Sequence, residues 1–168
     1  MQLENRYLSF CNILEKEKIV DLEKIKTCFT LLSVANTIDS ECAKRLQEFQ
    51  LSESRLIILV LLKEYQELPL QDIAKLLGIT KASTTTLISS LVNDRLISKR
   101  NDQNDRRIYQ VSLTQAGTNL LAETLKQHSL WIEKMTTNLS EKDITTFKKV
   151  LQQIYKNVSK REQLNENN

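Results

Sequence analysis

Apolar side chains recur at Leu3, Tyr7, Phe10 and Leu14 with polar residues between them, the spacing of a helix with one apolar face. A longer stripe follows, through Leu22, Ile25, Cys28, Phe29, Leu32, Ala35, Ile38, Cys42, Leu46 and Phe49. It keeps a 3.6-residue period and predicts a helix of about 27 residues beginning after Asp21. Ser52 is placed to cap a helix over residues 53–67, in which the run 56–62 is apolar on every side and is expected to be buried throughout.

Pro69 interrupts this pattern, and residues 71–77 form a short helical segment stopped by Gly78, the residue type that accepts a left-handed C-terminal position. Thr80 caps a further helix over 81–93. The period then changes from 3.6 to 2. Residues 96–100 and 108–113 alternate around a polar tip at 101–106, which predicts a β-hairpin. Thr114 caps a long helix with apolar positions at Leu120, Leu121, Leu125, His128, Ile132, Met135 and Leu139. Ser140 and Asp143 form a capping box that opens a last helix, with Ile144, Phe147, Val150, Leu151, Ile154 and Val158 directed inward. Residues 161–168 are polar and are expected to be a disordered tail.

Within the middle segment each residue type has a geometric reason. Ala74 allows two helices to approach, Gly78 supplies positive φ at the turn, and Ile73, Leu77, Ile79 and Leu87 form a miniature core. This is the pattern of a helix-turn-helix, and the hairpin directly after its second helix makes it a winged one. Projecting residues 81–93 at 100° per residue turns Thr84, Leu87, Ile88, Leu91 and Val92 inward. The opposite side carries Ala82, Thr86, Ser89 and Asn93, flanked by Ser83, Thr85 and Ser90; with Lys81 at the helix start, Ala82, Ser83, Thr85, Thr86 and Ser89 are its candidate DNA-contacting residues. Small hydroxyl side chains there suit close approach to a major groove. A helix shaped for stability alone would favour Ala, Glu, Lys and Gln over a run of Ser and Thr.

The expected architecture is therefore mainly α with a small β-hairpin: a winged helix-turn-helix at 51–113, long N-terminal helices at 1–50 and long C-terminal helices at 114–160. The apolar stripes of the flanking helices ask for a partner surface, which makes them dimerisation helices.

Composition narrows the chemistry. Two glycines and one proline in 168 residues are too few for turn-rich β folds or for a glycine-rich phosphate loop. Three cysteines (Cys11, Cys28, Cys42) and one histidine, all widely spaced, fit neither a disulfide framework nor a metal site, so no metal or other cofactor is expected. No elbow-type nucleophile accompanies His128, so no enzyme is expected. The longest apolar run is seven residues, against about 20 for a membrane span. With no secretory signal either, a cytoplasmic chain without membrane contact is expected.

The net charge of +3 is concentrated. Residues 79–109 contain six basic residues (Lys81, Arg95, Lys99, Arg100, Arg106, Arg107) and three acidic ones (Asp94, Asp102, Asp105), which accounts for the whole excess. A basic patch on an otherwise neutral chain is the footprint of nucleic-acid binding.

From about residue 25 to 121 the chain resembles the MarR family of bacterial transcriptional regulators. The specific features are D-x-R at Asp105-Arg106-Arg107, followed by L-T-x-x-G at Leu113-Thr114-Gln115-Ala116-Gly117. The resemblance implies that Arg107 enters the minor groove and that Asp105 steadies it, consistent with the negative potential of a narrow groove. It also implies a homodimer set over a palindromic operator in double-stranded DNA, acting as a repressor released by a small-molecule effector. Family members often carry Arg or Lys where this chain has Thr86 and Ser90. Phosphate contacts are accordingly expected from Lys81, Arg95, Lys99 and Arg100.

Two alternatives stand beside this reading. A MarR-like protein with weak DNA binding could act through protein contact, or Cys28 could make the chain a redox-sensing regulator. Cys28-Phe29 aligns with the reactive Cys-Phe of the hydroperoxide-sensing branch, but Leu32 and Cys42 replace its tyrosines, and a packed, inert Cys28 is expected. His128 and Trp131 are read as core residues in preference to an effector cleft.

Overall fold

A computed structural model describes residues 3–18, 21–102 and 109–159. In chain order these form α1 (Asn5–Lys16), α2 (Leu22–Glu48), α3 (Glu53–Tyr65), β1 (Glu67–Pro69), α4 (Leu70–Leu77), α5 (Lys81–Asn93), β2 (Ile97–Asn101), β3 (Tyr109–Leu113), α6 (Gln115–Lys134) and α7 (Glu141–Ser159). They fall into two compact units, one ending at Thr124 and one beginning at Leu125. The expected winged helix-turn-helix is present in the first.

The core of that unit is drawn from most of its elements. Leu46 of α2, Leu51, the α3 residues Ile58, Leu59 and Leu62, Ile73 of α4, Ile88 and Leu91 of α5, Ile97 and Val111 of the sheet and Leu121 of α6 are buried together. Ser52 caps α3 by accepting the Arg55 N–H. The run 56–62 is not buried throughout as expected. Ile57 and Val60 are each 38% exposed, because a single helix flanked by partners on one side still has a solvent face.

The sheet has one strand more than the expected hairpin. The spacing predicts α3 through Glu67, yet the helix stops at Tyr65, where Gln66 takes φ 66° and its Nε2 donates to the Lys63 carbonyl at 3.0 Å. Residues 67–69 then form β1, antiparallel to β3, in the order β1-β3-β2. Three residues are too few to show a period of two. Gly78 adopts φ 65° after α4, as expected of a C-terminal glycine, and a Cβ there would meet nothing within 4 Å.

The junction between wing and α6 is a dense knot. Thr114 Oγ1 accepts the Gly117 N–H at 3.0 Å and shares its own proton between the Arg95 carbonyl at 2.7 Å and the Leu96 carbonyl at 3.0 Å. A Cβ on Gly117 would lie 1.9 Å from the Leu96 carbonyl oxygen. Glycine stands here because the first turn of α6 rests directly on backbone.

Several flanking residues are less buried than their stripes suggest. Cys28, Leu32 and Ala35 on α2 are exposed, and the buried thiol is that of Cys11. The expectation that Cys28 is packed is thus corrected: α1 meets α2 along the side that carries Phe29, and Cys28 lies off that contact. There Tyr7 stacks on Phe29 with ring centroids 4.7 Å apart, and Phe10 meets the same ring edge-on at 5.3 Å. The expected core positions Leu125, Ile132, Met135 and Leu139 are exposed, and α6 ends at Lys134, short of the last two. In α7 no residue is buried; Phe147 is 52% and Val158 68% exposed. His128 and Trp131 are half-buried and touch each other, with centroids 5.2 Å apart, so the expected core placement of this pair is corrected too.

The capping box at the start of α7 is formed. Asp143 Oδ2 accepts from the Ser140 N–H at 3.0 Å and the Ser140 hydroxyl at 2.6 Å, and the Asp143 N–H donates back to Ser140 Oγ at 3.2 Å. Hydrogen bonds from the Ser140 side chain and backbone hold the Asp143 carboxyl below its ordinary value. The folded box therefore takes up its proton less readily than the unfolded chain, and its stabilisation is present at neutral pH and lost as pH falls through that lowered value. Amide protection in the first turn of α7, taken relative to the intrinsic exchange rate at each pH, should fall on acidification in the parent, whereas Asp143→Ala should show the lower protection at neutral pH as well. An acid-insensitive first turn in the parent would contradict this.

Candidate nucleic-acid interface

The second helix of the helix-turn-helix, α5, is locked at its N-terminus. Thr80 Oγ1 accepts the Ser83 N–H at 3.1 Å and lies 2.9 Å from the Ser83 hydroxyl. Thr84 is fully buried, and its hydroxyl donates to the Thr80 carbonyl at 3.0 Å. Ile88 and Leu91 continue the buried side, while Leu87 and Val92 are half-buried against the core. The predicted inward face is the observed one. Lys81, Ala82, Ser83, Thr85, Thr86 and Ser89 are all exposed.

The exposed threonines are oriented by their own helix. Thr85 Oγ1 donates to the Lys81 carbonyl at 2.8 Å and Thr86 Oγ1 to the Ala82 carbonyl at 3.2 Å. Each hydroxyl proton is directed back into α5, which leaves the oxygen lone pairs and the γ-methyl as the recognition chemistry of these side chains. Such a surface can accept from adenine N6 or cytosine N4, or pack on a thymine methyl.

The wing divides its charges between two faces. In β2, Lys99 pairs in register with Val111 and Arg100 with Gln110, and successive strand residues point to opposite sides. Lys99 therefore shares the face of the buried Ile97 and Val111. Its ammonium lies 3.6 Å from the Tyr109 ring centroid, an attractive placement over the π face. Together with Lys81, Thr85, Gln71 and Pro69, these two residues line a cleft of about 330 Å³ between α5, the start of α4 and the wing. Arg100 lies on the other face and forms a two-pronged pair with Glu67, Nε to Oε1 and Nη2 to Oε2, both 2.7 Å. Hydrogen bonding and the charge of Glu67 push the Arg100 guanidinium further above its already high value.

The predicted site residues thus separate. Lys81, Thr85 and Lys99 come together beside the exposed face of α5. Arg95 takes φ 58° in the turn beyond α5, at the opposite end of a 13-residue helix, roughly 20 Å from Lys81. It is not part of the cleft. Asp105, Arg106 and Arg107 lie outside the described residues. Sequence reasoning missed Tyr109 and Gln71. The alternation of β3 already places Tyr109 on the Val111 side, whereas Gln71 gives no sequence signal.

One thiol is made less acidic by its surroundings. Burial pushes the Cys42 thiol up, and the charges of Glu53 and Asp39 push it further. Among the described residues no group of three or more His, Cys, Asp or Glu could hold a metal ion, and no helix is long and apolar enough to cross a membrane.

Comparison with known proteins bears on the family and the fold. Residues 51–109 match the model of the MarR family. The chain is 26% identical over 133 residues to the HTH-type transcriptional regulator MhqR of Bacillus subtilis, covering 79% of this chain and 92% of that protein. It is 31% identical over 111 residues to the HTH-type transcriptional repressor YetL of the same organism, covering 65% and 66%. A crystal structure of a mutant MarR from E. coli complexed with operator DNA superposes with a TM-score of 0.64 at 17% identity, covering 79% of this chain and 95% of that one, and so shares the fold. The chain belongs to the MarR family of transcriptional regulators.

Proposed function

We propose that the protein is a sequence-specific repressor that binds a palindromic operator in double-stranded DNA as a homodimer in the cytoplasm. The observation that carries this reading is the exposed hydroxyl-bearing face of α5, set beside the Lys81 and Lys99 ammonium groups of the cleft. Phosphates fix the protein on the duplex and base edges are read by the side chains between them. Lys81 and Lys99 serve the first purpose; Ala82, Ser83, Thr85, Thr86 and Ser89 serve the second. The name of YetL supports repression.

A second copy of the chain is the natural cover for the apolar side chains left exposed on the flanking helices. Leu8, Phe10, Ile13 and Leu32 belong to α1 and α2, and Phe147, Val150 and Val158 to α7. A two-fold dimer would present two copies of α5 to two half-sites, which is why a palindrome is proposed.

Selection from a pool of random duplexes tests the reading. Enrichment of one inverted repeat is the expected result, and recovery of no preferred sequence would refute it. With the selected operator, Arg107→Ala should weaken binding by about 1 to 3 kcal/mol, the worth of one well-placed groove contact, with sedimentation and melting unchanged. Unaltered affinity in a folded dimer would remove Arg107 from the interface.

A further inference from the structure

We propose that Glu67 is a positioning residue of the wing, holding Arg100 as a strut, so that Arg100 serves the wing's orientation and not the phosphates. The proposal rests on the DNA-binding reading above for its consequence and on the sheet alone for its geometry. Glu67 pairs in register with Ser112 and Arg100 with Gln110 on the two sides of β3. The Glu67–Arg100 fork therefore crosses the central strand and ties one edge strand of the sheet to the other.

Where the two edges lead gives the tie its purpose. Strand β1 runs into α4 with no residue between them, Pro69 being both the last strand residue and the N-cap of the helix. Strand β2 is the first strand of the wing. The fork thus links the start of the helix-turn-helix to that strand by a route independent of the chain. Two parallel N–H···O bonds fix direction as well as distance. On the same face, Ser98 and Ser112 hydroxyls lie 3.0 Å apart and Gln110 Nε2 donates to Asp102 Oδ2 at 2.9 Å. This face of the sheet is a set of mutually paired polar groups, while the opposite one carries Lys99 toward α5.

The two roles of Arg100 predict opposite behaviour. If its guanidinium neutralised a phosphate, Arg100→Gln would make the salt dependence of DNA binding shallower by about 0.9 in log K against log salt. Glu67→Gln, by releasing the guanidinium, would then tighten binding. A strut predicts that Arg100→Gln and Glu67→Gln each weaken binding by about threefold, as expected for a partly exposed pair, with the slope unchanged. The double variant should be no weaker than either single one, because the two residues act as one unit. The swapped pair, Glu67→Arg with Arg100→Glu, keeps the net charge and should recover most of the parental affinity.

The experiment is titration of the full-length protein with a labelled short duplex of mixed sequence, between ~50 and ~200 mM salt. Lys99→Gln supplies the reference for removal of one phosphate-neutralising charge. Amide exchange of β2 and β3 is measured on the same variants without DNA, and it should rise equally in both single variants and fall back in the swapped pair. A shallower slope in Arg100→Gln, tighter binding in Glu67→Gln, or parental affinity in both would overturn the proposal. If the parent binds no duplex, the DNA-binding reading fails, and the exchange measurement alone decides whether Glu67 positions the wing; exchange unchanged in both variants would reject it.

Discussion

Gly117→Ala is expected to destabilise the protein by about 2 to 3 kcal/mol, the upper part of the range for forcing an extra carbon into packed surroundings. The effect opposes intrinsic preference. Alanine in place of glycine inside a helix gains about 0.5 to 1 kcal/mol in propensity, and a helical glycine on an open surface would improve on this change. Here the new Cβ would stand 1.9 Å from the Leu96 carbonyl oxygen, and that oxygen is backbone, already accepting the Thr114 N–H at 3.1 Å. It can move only if β2 or α6 moves with it. Gly78→Ala makes the contrast. Its Cβ has free space, so the cost is confined to holding a non-glycine residue at φ 65°, about 1 to 2 kcal/mol. Urea unfolding of both variants tests the ordering; equal or reversed losses would show that the α6 contact yields easily.

Ser89→Glu is expected to lower affinity for any duplex at least about tenfold, equivalent to roughly 1.4 kcal/mol, with little change in melting. Ser89 is exposed on the face of α5 that carries Thr85 and Thr86, and glutamate is well tolerated at an exposed helical position. Folding therefore has no reason to suffer. In the complex, however, the carboxylate would enter a groove flanked by one negative charge per about 1.7 Å of duplex axis. The loss should be greatest at low salt, where screening is least. A folded Ser89→Glu protein with undiminished affinity would mean that this side of α5 does not face DNA.

The course of the winged module was legible because its signals are local. A hydroxyl at Ser52 and Thr80, a glycine at Gly78 and the switch to alternation after α5 each mark a boundary through their own backbone chemistry. The exposed face of α5 could be projected because helical geometry fixes which side chains share a side once Ile88 and Leu91 are inside. Strand β1 escaped for the opposite reason. Its three residues are held by pairing with β3, more than 40 positions later, and Gln66 carries no residue-type signal for its left-handed turn. The same omission hid Glu67, without which Arg100 reads as a free cation. Burial on the flanking helices was misjudged because an apolar stripe specifies that a face is to be covered and not by what. Cys28 and Leu32 lie on such a face, and one chain leaves them open.

The knot around Thr114 bears on where this protein could be divided. A fragment beginning at residue 51 and ending at 113 would contain every strand of the sheet and both helices of the helix-turn-helix. It would nevertheless lack Leu46, which is 1% exposed, and Leu121, 2% exposed, and the hydroxyl that closes the Arg95 and Leu96 carbonyls. The helices on either side of the module are thus contributors to its interior, and only a piece running from within α2 through Thr124 keeps that interior closed. Trimming toward a minimal recognition unit, or grafting the module onto another protein, has to respect those two outlying leucines before any residue that touches DNA.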